Sequence, residues 1–267
     1  MASVVMLTAS LSAISRARVL QGAAAAVGLP LVGCEVYSRF PPRWSQASLP
    51  PLVSIGSGAE EYVVIFPGAG GPDANTQRIV DAMRAPGIIV CEYDWSAYCG
   101  DTLRAPYNAQ RVGSHIGREL SKLPGLKRIH LIGVSVGAFA ADSAVATFRA
   151  AASNMAPKLS IKTTFLDPFT ARGIAGLVHP ASAYGVNRFG SEADEAVAVI
   201  NTDDPVPSTS LPCRSCRNYD VTGAAAREQF TLLPGDSLHS WPCGWFGLRK
   251  GVLPSSPIAR GAVLSVH

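Results

Sequence analysis

Ile129-His130-Leu131-Ile132-Gly133-Val134-Ser135-Val136-Gly137-Ala138 is the stretch on which the fold turns. It reads as an apolar strand, a Gly-x-Ser-x-Gly corner, and the start of an alanine-rich helix running to Ala151. Alanine is the strongest helix former, which supports the second half of that reading. A strand that becomes a helix this abruptly holds its serine on a strained turn. Side chains on the flanking glycines would clash with the neighbouring strand or helix. The serine hydroxyl is left at a helix N-terminus, where free N–H groups and the helix dipole favour developing negative charge. Glycine and serine are common residues, so the flanking strand and helix are what make the pattern specific.

Working outward, Tyr62–Phe66 is a β-branched run closed by the loop Pro67-Gly68-Ala69-Gly70-Gly71. Residues 75–84 read as a helix and Ile88–Cys91 as a second buried strand. Over 107–123, Val112, Ile116 and Leu120 fall on one helical face. Ile129–Ile132, Ile161–Leu166 and Ala196–Ile200 continue the strand series, and Phe230–Leu233 is the expected sixth. Strands alternating with helices at this spacing predict an α/β fold, a mostly parallel sheet with helices on both faces. Ligands of such sheets bind at the carboxyl ends of the strands.

The chain has 267 residues, 48% hydrophobic and 16% charged, enough to bury a large core, so disorder is not the default expectation. The net charge of +4 comes without a run of Lys and Arg, so no nucleic-acid footprint is present. It is compatible with an anionic membrane or a lipid-droplet surface. Residues 1–34 contain no Asp or Glu but carry Arg16 and Arg18. Their apolar run Val19–Val32, broken by Gln21, is too short to span a bilayer. Residues 1–54 are therefore expected to be a targeting segment with a Pro-rich linker (Pro41, Pro42, Pro50, Pro51), and residues 55–267 the folded domain. The leader reads as a plastid or mitochondrial transit peptide, as a secretory signal with Leu31-Val32-Gly33-Cys34 resembling a lipobox, or as an ordered N-terminal element.

A serine hydroxyl is a poor nucleophile near neutral pH and needs a base with an orienting acid. Of five histidines, His130 lies inside a strand, His115 in a helix, His179 in a loop and His267 at the terminus. His239 follows the last strand candidate, which gives the order nucleophile, acid, histidine. Asp167 and Asp204 (or its neighbour Asp203) each end a strand, and local sequence does not choose between them. Two backbone N–H groups must hold an oxyanion. Val136 supplies one, and Ala69 or Gly68 in the glycine-rich loop the other. That loop lacks both P-loop spacing and G-x-G-x-x-G.

A rival reading uses Cys213-x2-Cys216 and His239-x3-Cys243 as a structural zinc set in a non-catalytic binding protein. An intermediate one keeps His239 as base and pairs Cys213 with Cys216, or Cys216 with Cys243, with Cys91 and Cys99 pairing similarly.

Four segments bear on the choice of acid. Tyr93-Asp94-Trp95-Ser96 resembles V-D-W-S, and Tyr107-Asn108-Ala109-Gln110-Arg111-Val112-Gly113 resembles Y-N-T-R-x-V-G. Phe165-Leu166-Asp167-Pro168 resembles G-L-D-P, and Glu195 to Asp203 resembles F-V-D-V-I-H-T-D. In this order they resemble the animal-type lipases, the family of pancreatic and lipoprotein lipases and phospholipases A1. The resemblance spans about two-thirds of the chain. It implies the α/β-hydrolase fold, Asp167 as the acid beside Ser135 and His239, and cleavage of carboxylic esters, especially acyl lipids, with no cofactor. The elbow here is Gly-Val-Ser-Val-Gly where the family has G-H-S-L-G, the oxyanion loop is not H-G-F, and the family's C-terminal lipid-binding domain has no counterpart. The loop-rich stretches 170–193 and 206–227 are candidate lids, and transfer of the acyl group to an alcohol is a third possible chemistry.

Overall fold

The computed structural model describes Tyr37, Arg39 and residues 49–52, 59–101, 103–152, 159–173, 183–206, 208–230, 238–254 and 258–267. In chain order these form β1 (Glu61–Phe66), α1 (Ala74–Met83), β2 (Ile88–Glu92), α2 (Ala105–Leu120), β3 (Arg128–Val134) and α3 (Ala138–Ala151). There follow β4 (Ser160–Leu166), α4 (Tyr184–Arg188), β5 (Glu195–Ile200), β6 (Arg217–Asp220), α5 (Trp241–Leu248) and β7 (Val263–Ser265). The seven strands make one sheet in the order β2-β1-β3-β4-β5-β6-β7. Every pairing is parallel. This is the α/β-hydrolase fold.

The alternation of side chains along each strand divides the interior into two cores. Tyr62, Val64 and Phe66 of β1 face α2 and α3, together with Leu131, Ala198 and Ile200. Val63 and Ile65 face the other way, with Ile79 of α1 and Trp241, Trp245 and Phe246 of α5. Strands buried on both faces are largely apolar, which is why β1 and β5 were readable as unbroken runs. α1 begins cleanly because the Asp73 carboxylate accepts from the N–H groups of Asn75 and Thr76, while the Thr76 hydroxyl accepts from the Asp73 N–H.

The sixth of the described strands lies at Arg217–Asp220, and most of the strand expected at 230–233 falls outside the described residues. Phe230 follows a 3-10 turn over Ala225–Gln229, and 231–237 fall outside the described residues. Stretch 206–227, expected to be loop-rich, therefore carries a strand of the sheet. Stretch 170–193 contains α4, with 174–182 outside the described residues.

Most of 1–54 also lies outside them, but the part that is described is attached to the domain. Leu49 is buried, the Tyr93 hydroxyl donates to the Pro50 carbonyl at 2.7 Å, and the Arg104 guanidinium stacks 3.5 Å over the Tyr37 ring. Among the described residues, no helix is long and apolar enough to cross a membrane.

Candidate active site

The strand register brings the sequence candidates to one edge of the sheet. Phe66 pairs with Gly133 and Val134 with Leu166. Pro67-Gly68, Ser135 and Asp167 therefore leave adjacent strands side by side. The Phe169 N–H donates to the Ser135 carbonyl at 3.1 Å and ties the β4 exit to the elbow.

Ser135 has φ +51° and Asp167 φ +44°. A non-glycine residue held there costs about 1–3 kcal/mol and persists only where its surroundings over-determine it. Among the described residues, only two other non-glycine positions, Ser208 and Lys250, share this conformation. The elbow's glycines explain how the strain is accommodated. A Cβ on Gly133 would stand 2.6 Å from the Cα of Ala138, and one on Gly137 would be driven into the Phe66 carbonyl. Ser135 itself is half-buried, and α3, starting at Ala138, has no acid in its first turn to oppose an anion.

The loop after β1 runs beside the serine. A Cβ on Gly68 would lie 3.2 Å from Ser135 Cβ and 3.8 Å from its Oγ. Trp95 Nε1 donates to the Pro67 carbonyl at 3.0 Å and fixes the loop. Within it, the Gly71 N–H donates to the Gly68 carbonyl and the Gly70 N–H to Cys99 Sγ. The candidate donors left in the loop are Gly68 and Ala69; Val136 sits in the turn Ser135–Gly137.

His239 is held in the turn Leu238–Ser240 directly before α5. The next residue, Trp241, is fully buried and donates from Nε1 to the Val221 carbonyl at 2.8 Å, which anchors that turn. His239 Nδ1 lies 2.7 Å from Asp167 Oδ2 and 2.6 Å from Asp204 Oδ2. Both carboxyl side chains are fully buried, and the imidazole is 20% exposed. The two aspartates between which local sequence did not choose thus meet the same nitrogen. Asp203 turns outward and pairs with Arg227 at 2.8 Å. Asp204 also accepts from the Val206 N–H and the Thr209 hydroxyl, both at 2.9 Å, whereas Asp167 accepts from the Asn201 N–H at 3.3 Å.

These contacts set the protonation of the group. Burial opposes a charged imidazole, but the two carboxylates outweigh it and raise His239 to about 9. Burial, with Asp204 alongside, raises Asp167 to about 8 against the pull of the imidazole. Burial also opposes charge on Asp204, yet hydrogen bonds from His239, Asp167 and Val206 hold it well below the usual carboxylate range.

The other histidines stay apart from this group. His130 is buried with Nε2 at 2.8 Å from the Thr164 hydroxyl, and burial keeps it well below its usual value. Burial also lowers half-buried His115. His179 lies outside the described residues, and His267 is exposed.

The zinc set does not assemble. Cys213 and Cys216 are buried in the core on the α2/α3 face, Cys243 in the core on the α5 face, and His239 is engaged by the aspartates. No disulfide joins Cys91, Cys99, Cys213, Cys216 and Cys243 to one another, so the Cys213–Cys216, Cys216–Cys243 and Cys91–Cys99 pairings do not form, while Cys34 lies outside the described residues. Asp167, Asp204 and His239 themselves bring three ligand atoms within 4.8 Å of one another. Their separations of 2.6 and 2.7 Å are hydrogen-bond lengths. Two ligands about 2.1 Å from one ion and at right angles stand about 3.0 Å apart, so a cation would have to spread the group. Sequence reasoning did not anticipate Thr209, the second hydrogen-bond donor to Asp204, or Cys99, which holds the oxyanion-side loop; neither carries a motif.

No family model matches the sequence, and no curated protein does. Solved structures do resemble the fold. A protein from Xanthomonas campestris pv. campestris, assigned to the α/β hydrolase superfamily, aligns at 15% identity with a TM-score of 0.38, covering 71% of this chain and 99% of its own. A lipase-esterase related protein from Clostridium acetobutylicum aligns at 10% identity and a TM-score of 0.35, covering 61% and 82%. At such distances the likeness carries no argument about fold, activity or substrate.

Proposed function

We propose that the protein is a serine hydrolase that cleaves carboxylic esters, acyl lipids above all, through an acyl-enzyme on Ser135. The observation that carries this reading is the hydrogen bonding of His239 Nδ1 to buried carboxylates at the strand ends from which the strained Ser135 also emerges. Ser135 Oγ attacks the ester carbonyl and its proton passes to His239 Nε2. The N–H groups of Val136 and Ala69 hold the oxyanion that forms. The imidazolium, steadied by the aspartates, returns the proton to the leaving alcohol, and water then releases the acid by the reverse sequence. No cofactor takes part in these steps. The preference for acyl lipids rests on the sequence resemblance to animal-type lipases.

The test is fluorophosphonate labelling of the full chain, with the adduct located by peptide mass spectrometry. Rapid labelling at Ser135, lost in His239→Ala, is the expected result. A folded protein that resists the probe and hydrolyses no p-nitrophenyl ester from acetate to palmitate would overturn the proposal.

A further inference from the structure

Hydrolysis by a triad needs one acid behind the histidine, and this site has two. Nδ1 can carry a single hydrogen, yet Asp167 Oδ2 and Asp204 Oδ2 stand at 2.7 and 2.6 Å from it. Both side chains are fully buried. Among the described residues, neither carboxylate is paired with a Lys or Arg; the nearby Arg227 is paired with Asp203 instead. Two ionised carboxylates this close, away from water and sharing one donor, repel each other, and such pairs hold one proton between them. Both carboxyl oxygens reach the same nitrogen and lie within 4.8 Å of each other, close enough for one proton to be shared between them.

The remaining donors decide which residue owns it. Asp204 receives the Val206 N–H and the Thr209 hydroxyl, each at 2.9 Å. That hydroxyl is also 2.9 Å from the Val206 carbonyl, and the carboxylate is the stronger acceptor. Besides His239, Asp167 meets the longer Asn201 N–H contact at 3.3 Å among the described residues. Donors favour the charged form, so the charge settles where the donors are.

We propose that Asp204 carries the negative charge that steadies the His239 imidazolium, while Asp167 keeps a proton, donates it in a hydrogen bond to Asp204 and acts as a positioning residue. This deepens the hydrolase reading and rests on it. It also inverts the roles implied by the lipase resemblance, in which Asp167 is the ionised acid. The directions of the two acid shifts agree with it, Asp167 up and Asp204 down.

The inversion is tested with Asp167→Asn and Asp204→Asn in the full chain. Asparagine at 167 reproduces a protonated aspartate in shape and offers its amide to Asp204, so kcat/KM is expected to stay within about tenfold of the parent. Asparagine at 204 removes the charge, and a loss of about 10³–10⁴-fold is expected, the scale seen when a triad acid becomes its amide. A larger loss at 167 than at 204 would overturn the proposal. Because either variant can suffer in folding, a second reading uses NMR titration of the His239 imidazole, which needs no turnover. Asp204→Asn should lower its pKa more than Asp167→Asn does; equal or reversed shifts sink the inference even if esters are hydrolysed. Failure of Ser135 to label in the parent protein, with the NMR ranking as expected, would instead remove the hydrolase reading and leave the proton-sharing pair standing.

Discussion

The elbow and the acid–histidine group lie at the same edge of the sheet but are built in opposite ways. Nearly everything the elbow needs sits within ten consecutive residues: an apolar strand, two glycines whose missing Cβ atoms make room, and the start of an alanine-rich helix. The acid–histidine group joins three segments, with His239 lying 72 residues from Asp167 and 35 from Asp204. A site set by backbone strain is written locally. A site set by hydrogen bonds across loops comes into being only once the strand register is fixed, and here that register delivers one more carboxylate than the chemistry requires.

Removing the elbow's hydroxyl should give the largest effect. Ser135→Ala is expected to lower kcat by about 10⁵–10⁶-fold, the scale of losing the nucleophile of a serine hydrolase, with thermal unfolding unchanged. A residual rate above a thousandth of the parent's would show that the strained serine is not the nucleophile. Gly137→Ala attacks the elbow through its backbone. The added methyl meets the Phe66 carbonyl, a rigid backbone atom, so about 3 kcal/mol or more of stability should be lost in urea unfolding. A tolerated methyl would mean that the elbow is not as tightly determined as its glycines imply.

The pH dependence probes the other region. The base must be neutral to accept the serine proton, and the carboxylates hold the imidazole charged up to about 9. At pH 7 only about one molecule in a hundred carries neutral His239, against about half at pH 9, so kcat/KM should rise about 50-fold across that interval. A plateau reached by pH 7 would mean that the charge of the buried acid pair does not bear on the imidazole. Folding stability should move the opposite way. His239 and Asp167 both bind protons more tightly in the folded state, so the stability they contribute is lost as pH rises through about 8 and 9.

Legibility in the sequence follows the same division. β1 and β5 could be read because burial on both faces demands apolar runs, and β3 and β4 because apolar residues flank their buried His130, Thr163 and Thr164. β6, Arg-Asn-Tyr-Asp, escaped because its inward-facing Asn218 is polar. The Asn218 side chain is satisfied instead by the carbonyls of Cys213, Cys216 and Ala262. The cysteines of the zinc reading have favourable spacing along the chain, but the sheet separates them, with Cys213 and Cys216 under one face and Cys243 under the other. Ser135 and His239 could be named from the elbow and the chain order, and Asp167 and Asp204 as alternative acids at strand ends, with the lipase resemblance favouring Asp167. That both acids would reach the same nitrogen could not, because the turn carrying Asp204 is positioned by Thr209 and Val206 after the strand has ended.

Asp203 gives the smallest effect and the finest test of that point. It precedes Asp204 in the same turn and has the same side chain, and the sequence offers no reason to separate the two. Its carboxylate is 46% exposed and pairs with Arg227 at 2.8 Å. Exposed ion pairs contribute about 0–1 kcal/mol, so Asp203→Asn should shift stability by less than 1 kcal/mol and kcat/KM by less than about twofold. The comparison with Asp204→Asn holds charge change, volume and chain position nearly constant and varies only which way the side chain turns. If Asp203→Asn cost as much activity as Asp204→Asn, the determinant would be the net charge of the turn, and the 2.6 Å contact with His239 would lose its special standing.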